Sequence, residues 1–279
     1  MRLPLTIAAL ASLALARPLP ARTGGDLNTQ MMRATVKIAN PKSTAAAFLL
    51  TRPANGRANK AQVILVTAAH VFEQMTGDEA VITFRRKESE GMYRKLPLKI
   101  AVRKGGKPLW TKHPSLDIAA MYVTPPEQAD VPKLSLDLLA TDETLKRYQV
   151  HPGDTLMCLG YPHQLEANGA GFPILRSGPI ASFPLRPTET TKTFLLNYNS
   201  FEGDSGGPVY LAEANRVLSG KKQPAKVRLI LGLVLGQHFV NVDTRTAYET
   251  RQVRYRLGLA IIVHATYIRE TIERLPATP

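Results

Sequence analysis

Cysteine is nearly missing from this chain. Of its 279 residues one is a cysteine, Cys158, so no internal disulfide can staple the fold and the core must hold by packing alone. TLMCLGY (Thr155–Tyr161) sets that cysteine in an apolar run with no base beside it, which reads as a buried small side chain. Acidic residues are scarce too: 22 Asp and Glu face 36 Lys and Arg, for a formal charge of +14. No H-E-x-x-H, C-x-x-C or close His/Asp cluster occurs, so no metal and no cofactor is assigned. Past the opening segment no apolar run is long enough for a bilayer-spanning helix, and no transmembrane segment is expected.

The opening MRLPLTIAALASLALARPLPA (Met1–Ala21) is of another kind. One arginine precedes an apolar stretch ending in Ala14-Leu15-Ala16, a small-x-small pattern, and Pro18 and Pro20 follow. This is the layout of a secretory signal peptide, residues 1–16, with cleavage as late as 21 as the alternative. The mature chain is expected to be exported, to the periplasm or the medium.

The positive excess clusters in RRKESEGMYRKLPLKIAVRKGGK (Arg85–Lys107) and SGKKQPAKVR (Ser219–Arg228). Gly and Pro punctuate both, so they read as hairpins with solvated basic faces. No nucleic-acid motif accompanies them, and nucleic acid is not an expected partner. Weak association with acidic polymers or anionic surfaces is the most that the charge suggests.

The remainder reads as short apolar runs between turn residues, from ATVKIA at Ala34 to YRLGLAIIV at Tyr255. Many are continuous rather than alternating, as in strands buried on both faces, which points to an all-β barrel or sandwich. Two segments look helical: AAHVFEQM (Ala68–Met75) and ATYIRETIERL (Ala265–Leu275), the second ended by Pro276.

NSFEGDSGGP (Asn199–Pro208) surrounds one serine, Ser205, with three glycines. A turn of that composition costs backbone entropy, so its path matters. Of six histidines, His70 ends VILVTAAH, where an apolar strand runs into small residues, and His113 and His163 adjoin prolines and read as surface turns. Asp117 precedes the apolar run IAAMYV, where a partly buried carboxylate needs a hydrogen-bond donor such as an imidazole N–H. Asp, His and Ser in series are what attack by a hydroxyl nucleophile requires.

VTAAH (Val66–His70), the LDIAAMYV strand start at Leu116 and GDSGGP (Gly203–Pro208) resemble three signature segments of the chymotrypsin-like (trypsin-like) serine endopeptidases, in that family's order. CLGYP at Cys158 and RSGPIAS at Arg176 are similar to strands opening the second barrel of bacterial members. The resemblance implies two six-stranded antiparallel β-barrels and a C-terminal helix. The first barrel would span about 30–124, the second about 153–265 and the helix about 265–275, within a domain of 17–279. It implies His70, Asp117 and Ser205 as catalytic triad, Gly203 and Ser205 as oxyanion-hole donors, and a protein or peptide substrate. By the same resemblance Asn199, Ser200, Gly236 and Gln237 bind substrate, with Asn199 on the floor of the pocket for the residue before the scissile bond. An uncharged floor there implies a neutral side chain in the substrate, with His238, if inward, favouring an acidic one. No Ile-Val-Gly-Gly type terminus follows the signal segment, so Asp204 is expected to find another partner, or water, and no zymogen activation of the animal kind is expected.

Two other readings stand beside this. Gly203, Ser205 and Gly207 also satisfy G-x-S-x-G, the nucleophile elbow of α/β-hydrolases, with Asp243 and His264 available in the order that fold needs. The other is a catalytically silent protease fold that serves as an exported binding module.

Overall fold

The computed structural model describes residues 26–53, 61–245 and 249–276, and the expected signal segment lies outside them. Two antiparallel sheets follow one another in the chain. The first contains β1 (Thr35–Asn40), β2 (Ser43–Arg52), β3 (Gln62–Thr67), β4 (Glu79–Ser89) and β5 (Met92–Ala101). A two-stranded ribbon, β6 (Arg103–Lys104) and β7 (Lys107–Pro108), precedes β8 (Thr111–Lys112) and β9 (Ala119–Val123). The order across the sheet is β5-β4-β1-β2-β3-β9-β8. The Leu109 N–H donates to the Val102 carbonyl at 3.0 Å, drawing the segments beside its two outer strands together.

The second sheet contains β10 (Thr155–Gly160), β11 (Ile174–Pro179), β12 (Thr193–Asn197), β13 (Pro208–Arg216), β14 (Ala225–Arg245) and β15 (Thr250–His264). Its order is β11-β10-β13-β14-β15-β12, and an Ile180–Leu196 bridge joins its ends. The fold is therefore all-β and chymotrypsin-like, with two barrels. The continuous apolar runs have a direct cause: β2 buries six residues in a row, Ala45–Leu50, because both its faces are covered. β5 sits at the sheet margin and from Lys95 to Ala101 leaves every other residue exposed.

Among the described residues four α-helices decorate the barrels, two more than the sequence suggested, and none is long and apolar enough to cross a membrane. α2 (Ala69–Gln74) and α4 (Ala265–Glu273) occupy the two expected segments, and α4 buries Tyr267, Ile268 and Ile272. The two helices not anticipated are α1 (Leu27–Ala34) and α3 (Asp142–Arg147). Both carry start signals in their side chains. The Asp26 carboxylate accepts the Thr29 N–H at 2.9 Å, and Thr141 and Thr144 cap one another reciprocally. α3 lies in the connection between the barrels. That connection is pinned to the first barrel where the Thr51 N–H donates to Leu134 O (2.7 Å), and to the second where the Ala140 N–H donates to Ile230 O (2.8 Å).

Two further expectations need correction. The basic run from Arg85 is not wholly solvated: Arg85 is 2% exposed, and its guanidinium donates to the carbonyls of Gly171, Arg33 and Thr35. His113 is no surface residue either. Pro114 turns the chain back so that the Ser115 and Leu116 N–H groups reach Nδ1, while Glu270 of α4 covers Nε2 at 3.1 Å.

Candidate active site

β3 and β9 are neighbours in register, with Thr67 opposite Ala119. The chain leaving β3 rises into α2 and carries His70, while the chain entering β9 carries Asp117. The pairing of the two strands thus sets the two side chains together. The Asp117 carboxylate accepts the His70 backbone N–H at 2.8 Å and faces His70 Nδ1 at 2.5 Å. An ionised carboxylate only accepts, so the Nδ1 N–H is the donor in this contact, and in the neutral ring that leaves Nε2 as the acceptor. Burial pushes the Asp117 carboxyl up, but the His70 ring and backbone N–H, with Lys112, outweigh it and hold the group below its ordinary value.

The serine turn comes from the other barrel and docks against the same strand end. The Ser205 carbonyl accepts the Ala46 N–H at 3.0 Å, and the Gly206 N–H donates to Val234 O at 2.8 Å. Gly206 has φ +81°, and a Cβ there would stand 2.1 Å from Thr67 Oγ1 and 2.3 Å from Ala46 O. Gly203 has φ +97°, and a Cβ there would stand 2.0 Å from Tyr161 O. Neither position admits a side chain, which is the physical meaning of the glycines around Ser205. The Ser205 hydroxyl donates to Leu235 O at 3.4 Å, its one hydrogen bond among the described residues. Among the described residues no acceptor takes the N–H of Gly203 or of Ser205.

Asp204, between them, is fully buried and paired with Arg176 of β11. Its other oxygen accepts the Phe201 N–H at 2.7 Å. Burial pushes this carboxyl above its ordinary value, against the pull of Arg176 and of that N–H. The Arg176 guanidinium lies over the Tyr198 ring (4.7 Å) and donates to Asn199 O (3.2 Å). Sequence reasoning left the partner of Asp204 open, and Arg176 is that partner.

Around the proposed substrate side, Asn199 is exposed and its Oδ1 faces Gly258, 3.4 Å from where a Cβ would sit. Gly258 was not singled out from the sequence, although a glycine inside an apolar strand run is a signal of close approach. Ser200 is 2% exposed, so its side chain is packed rather than open. Gly236 has open space where a side chain would be. Gln237 lines a polar cavity of about 540 Å³ with His238, Asn241 and Arg254, and its buried Oε1 has no hydrogen bond among the described residues. His238 is exposed on the hairpin. Arg256, also unforeseen, lies 4.6 Å over the Phe201 ring.

The α/β-hydrolase reading fails on topology. A strand, β13, follows the serine where that fold needs a helix, and the sheet is antiparallel. Asp243 accepts a hydrogen bond from Gln252 on the hairpin. His264 is buried against Phe194, and burial lowers its pKa to about 4.

Comparison with known families agrees with the architecture: the family model for trypsin matches residues 39–228. No curated protein is matched by this chain. Among solved structures the chain is similar to Rv3671c from M. tuberculosis H37Rv, crystallised in an inactive form as a serine-to-alanine mutant. The TM-score is 0.48 at 16% identity, over 94% of this chain and 96% of that one. A second crystal structure, of the Rv3671c protease in an inactive form, gives a TM-score of 0.43 at 18% identity, over 93% and 97%.

Proposed function

This chain belongs to the trypsin family and is a serine endopeptidase, and on that premise we propose that Ser205, His70 and Asp117 carry its chemistry. Ser205 Oγ attacks the carbonyl carbon of the scissile peptide bond while His70 Nε2 takes the hydroxyl proton. Asp117 holds the ring in the tautomer that leaves Nε2 free and stabilises the imidazolium. The carbonyl oxygen, now negative, lies against the N–H groups of Gly203 and Ser205. His70 returns the proton to the departing amine, leaving an acyl-enzyme on Ser205. A water then loses a proton to His70 and releases the acid. The observation that carries this reading is the two-point contact between Asp117 and His70.

The substrate is read as an extended peptide. The register of β14 with β13 ends at Leu233 and Val234 bonds the serine turn, so among the described residues no strand pairs with that edge from Leu235 onward, beside Ser205. An extended chain adds to such an edge through main-chain hydrogen bonds. For the residue before the scissile bond the reading is a neutral side chain, because Asn199 offers an amide and no negative charge to pair with a Lys or Arg. Export rests on the opening apolar segment. Labelling with a fluorophosphonate, wild type beside Ser205→Ala, tests the reading: a serine-dependent label supports it, and an unlabelled folded wild type points to a silent binding module.

A further inference from the structure

The chain from Tyr161 to Phe172 leaves the second barrel, lies on the first and returns to β11. Near its start two successive non-glycine residues, His163 (φ 49°) and Gln164 (φ 67°), hold left-handed backbone. L-residues rarely keep that conformation unless their surroundings impose it. Here it accompanies two bonds to the serine turn: the His163 N–H donates to Glu202 O at 2.7 Å, and the Tyr161 N–H to Gly203 O at 3.2 Å. In a trans peptide the carbonyl and the next N–H point opposite ways. With Glu202 O held toward His163, the Gly203 N–H faces away from this loop.

What holds the loop comes from the first barrel. The Glu166 side chain, 13% exposed, gives one carboxylate oxygen to Lys37 of β1 and the other to Lys95 of β5, the latter at 2.5 Å. Burial opposes the Glu166 charge, but the two ammonium groups hold the carboxyl below its ordinary value. Lys37 Nζ also stands 6.0 Å from the Tyr161 ring centre. Farther along, Gly171 O accepts from Arg85 (3.0 Å) and from the Tyr161 hydroxyl (3.3 Å), and the Arg85 guanidinium lies over Phe172.

We propose that Glu166 is a positioning residue: bound to Lys37 and Lys95, it clamps the 161–172 loop to the first barrel and so fixes the Glu202–Gly203 peptide with its N–H turned to the substrate oxygen. The proposal rests on reading the Gly203 and Ser205 N–H groups as the oxyanion site. Its effect belongs to the transition state, because the negative oxygen exists only there.

The test compares wild type, Glu166→Gln, Lys37→Met, Lys95→Met and the Glu166→Gln/Lys37→Met pair. A peptide amide substrate gives kcat and KM, a peptide aldehyde reports the oxyanion site, and thermal melting reports the folded fraction. Glu166→Gln is expected to lower kcat and aldehyde affinity about 10-fold or more, with KM and melting little changed. The paired variant is expected to lose no more than Glu166→Gln, as groups acting through one contact do. If Glu166→Gln does not fold, the two lysine variants read the same contact. Unchanged kcat and aldehyde affinity, or losses that merely follow the folded fraction, would overturn the clamp. A wild type that neither cleaves the peptide nor binds the aldehyde removes the underlying reading, and the clamp with it.

Discussion

Replacing Arg176 by methionine keeps much of the side-chain volume and deletes the cation facing Asp204. Asp204 is fully buried and would keep the Phe201 N–H as a donor but no cation in Arg176's place. Breaking a buried ion pair from one side costs about 3–5 kcal/mol. Arg176 keeps 23% side-chain exposure, so water can enter part of the gap and the lower end, about 3 kcal/mol, is expected. For a chain of this size that corresponds to a fall of about 6–12 °C in melting temperature. The pH dependence has a definite sign. Burial already raises the Asp204 carboxyl, and losing Arg176 raises it further. A group whose folded pKa lies above its unfolded one stabilises the fold in acid, and loses that contribution as pH rises through the folded value. Arg176→Met should therefore be least destabilised in acid and most destabilised near neutrality. Adding Asp204→Asn should recover much of the loss, because no charge is then left unpaired. Denaturant melts of the wild type and the two variants across pH give the answer. Arg176→Met within about 1 kcal/mol of wild type at every pH would refute the reasoning.

The Asp117 contact predicts two further results. Asp117→Asn should lower kcat about 10³–10⁴-fold in a folded protein, since an amide can no longer enforce the tautomer, and steady-state kinetics check it. The lowered Asp117 carboxyl stabilises the wild-type fold above its unfolded pKa, near 3.8, and the contribution fades as pH falls through the lower folded value; the Asn variant should lack that acid dependence in melts. At the substrate pocket, a positional peptide library should show cleavage after neutral residues, and Asn199→Asp should add cleavage after Lys or Arg. Dominant cleavage after Arg or Lys by the wild type would contradict the role given to Asn199.

The parts of this molecule legible in the sequence are those whose meaning is local. The glycines beside Ser205 mark close backbone approaches, and the runs ending at His70 and beginning after Asp117 mark strands that pair. The α1 and α3 caps were equally local but sat among polar residues without a long apolar period. Arg85, Arg176 and Glu166 were not legible at all. Their partners lie 86 residues away at Gly171, 28 away at Asp204 and 129 away at Lys37. Charge runs look solvated until tertiary contacts select one member for burial.

The most direct measurement is the site of fluorophosphonate attachment, mapped by mass spectrometry on the folded protein. The account predicts one adduct, on Ser205, absent in Ser205→Ala and formed orders of magnitude more slowly in His70→Ala. An adduct on another residue, or undiminished labelling of Ser205→Ala, would contradict it.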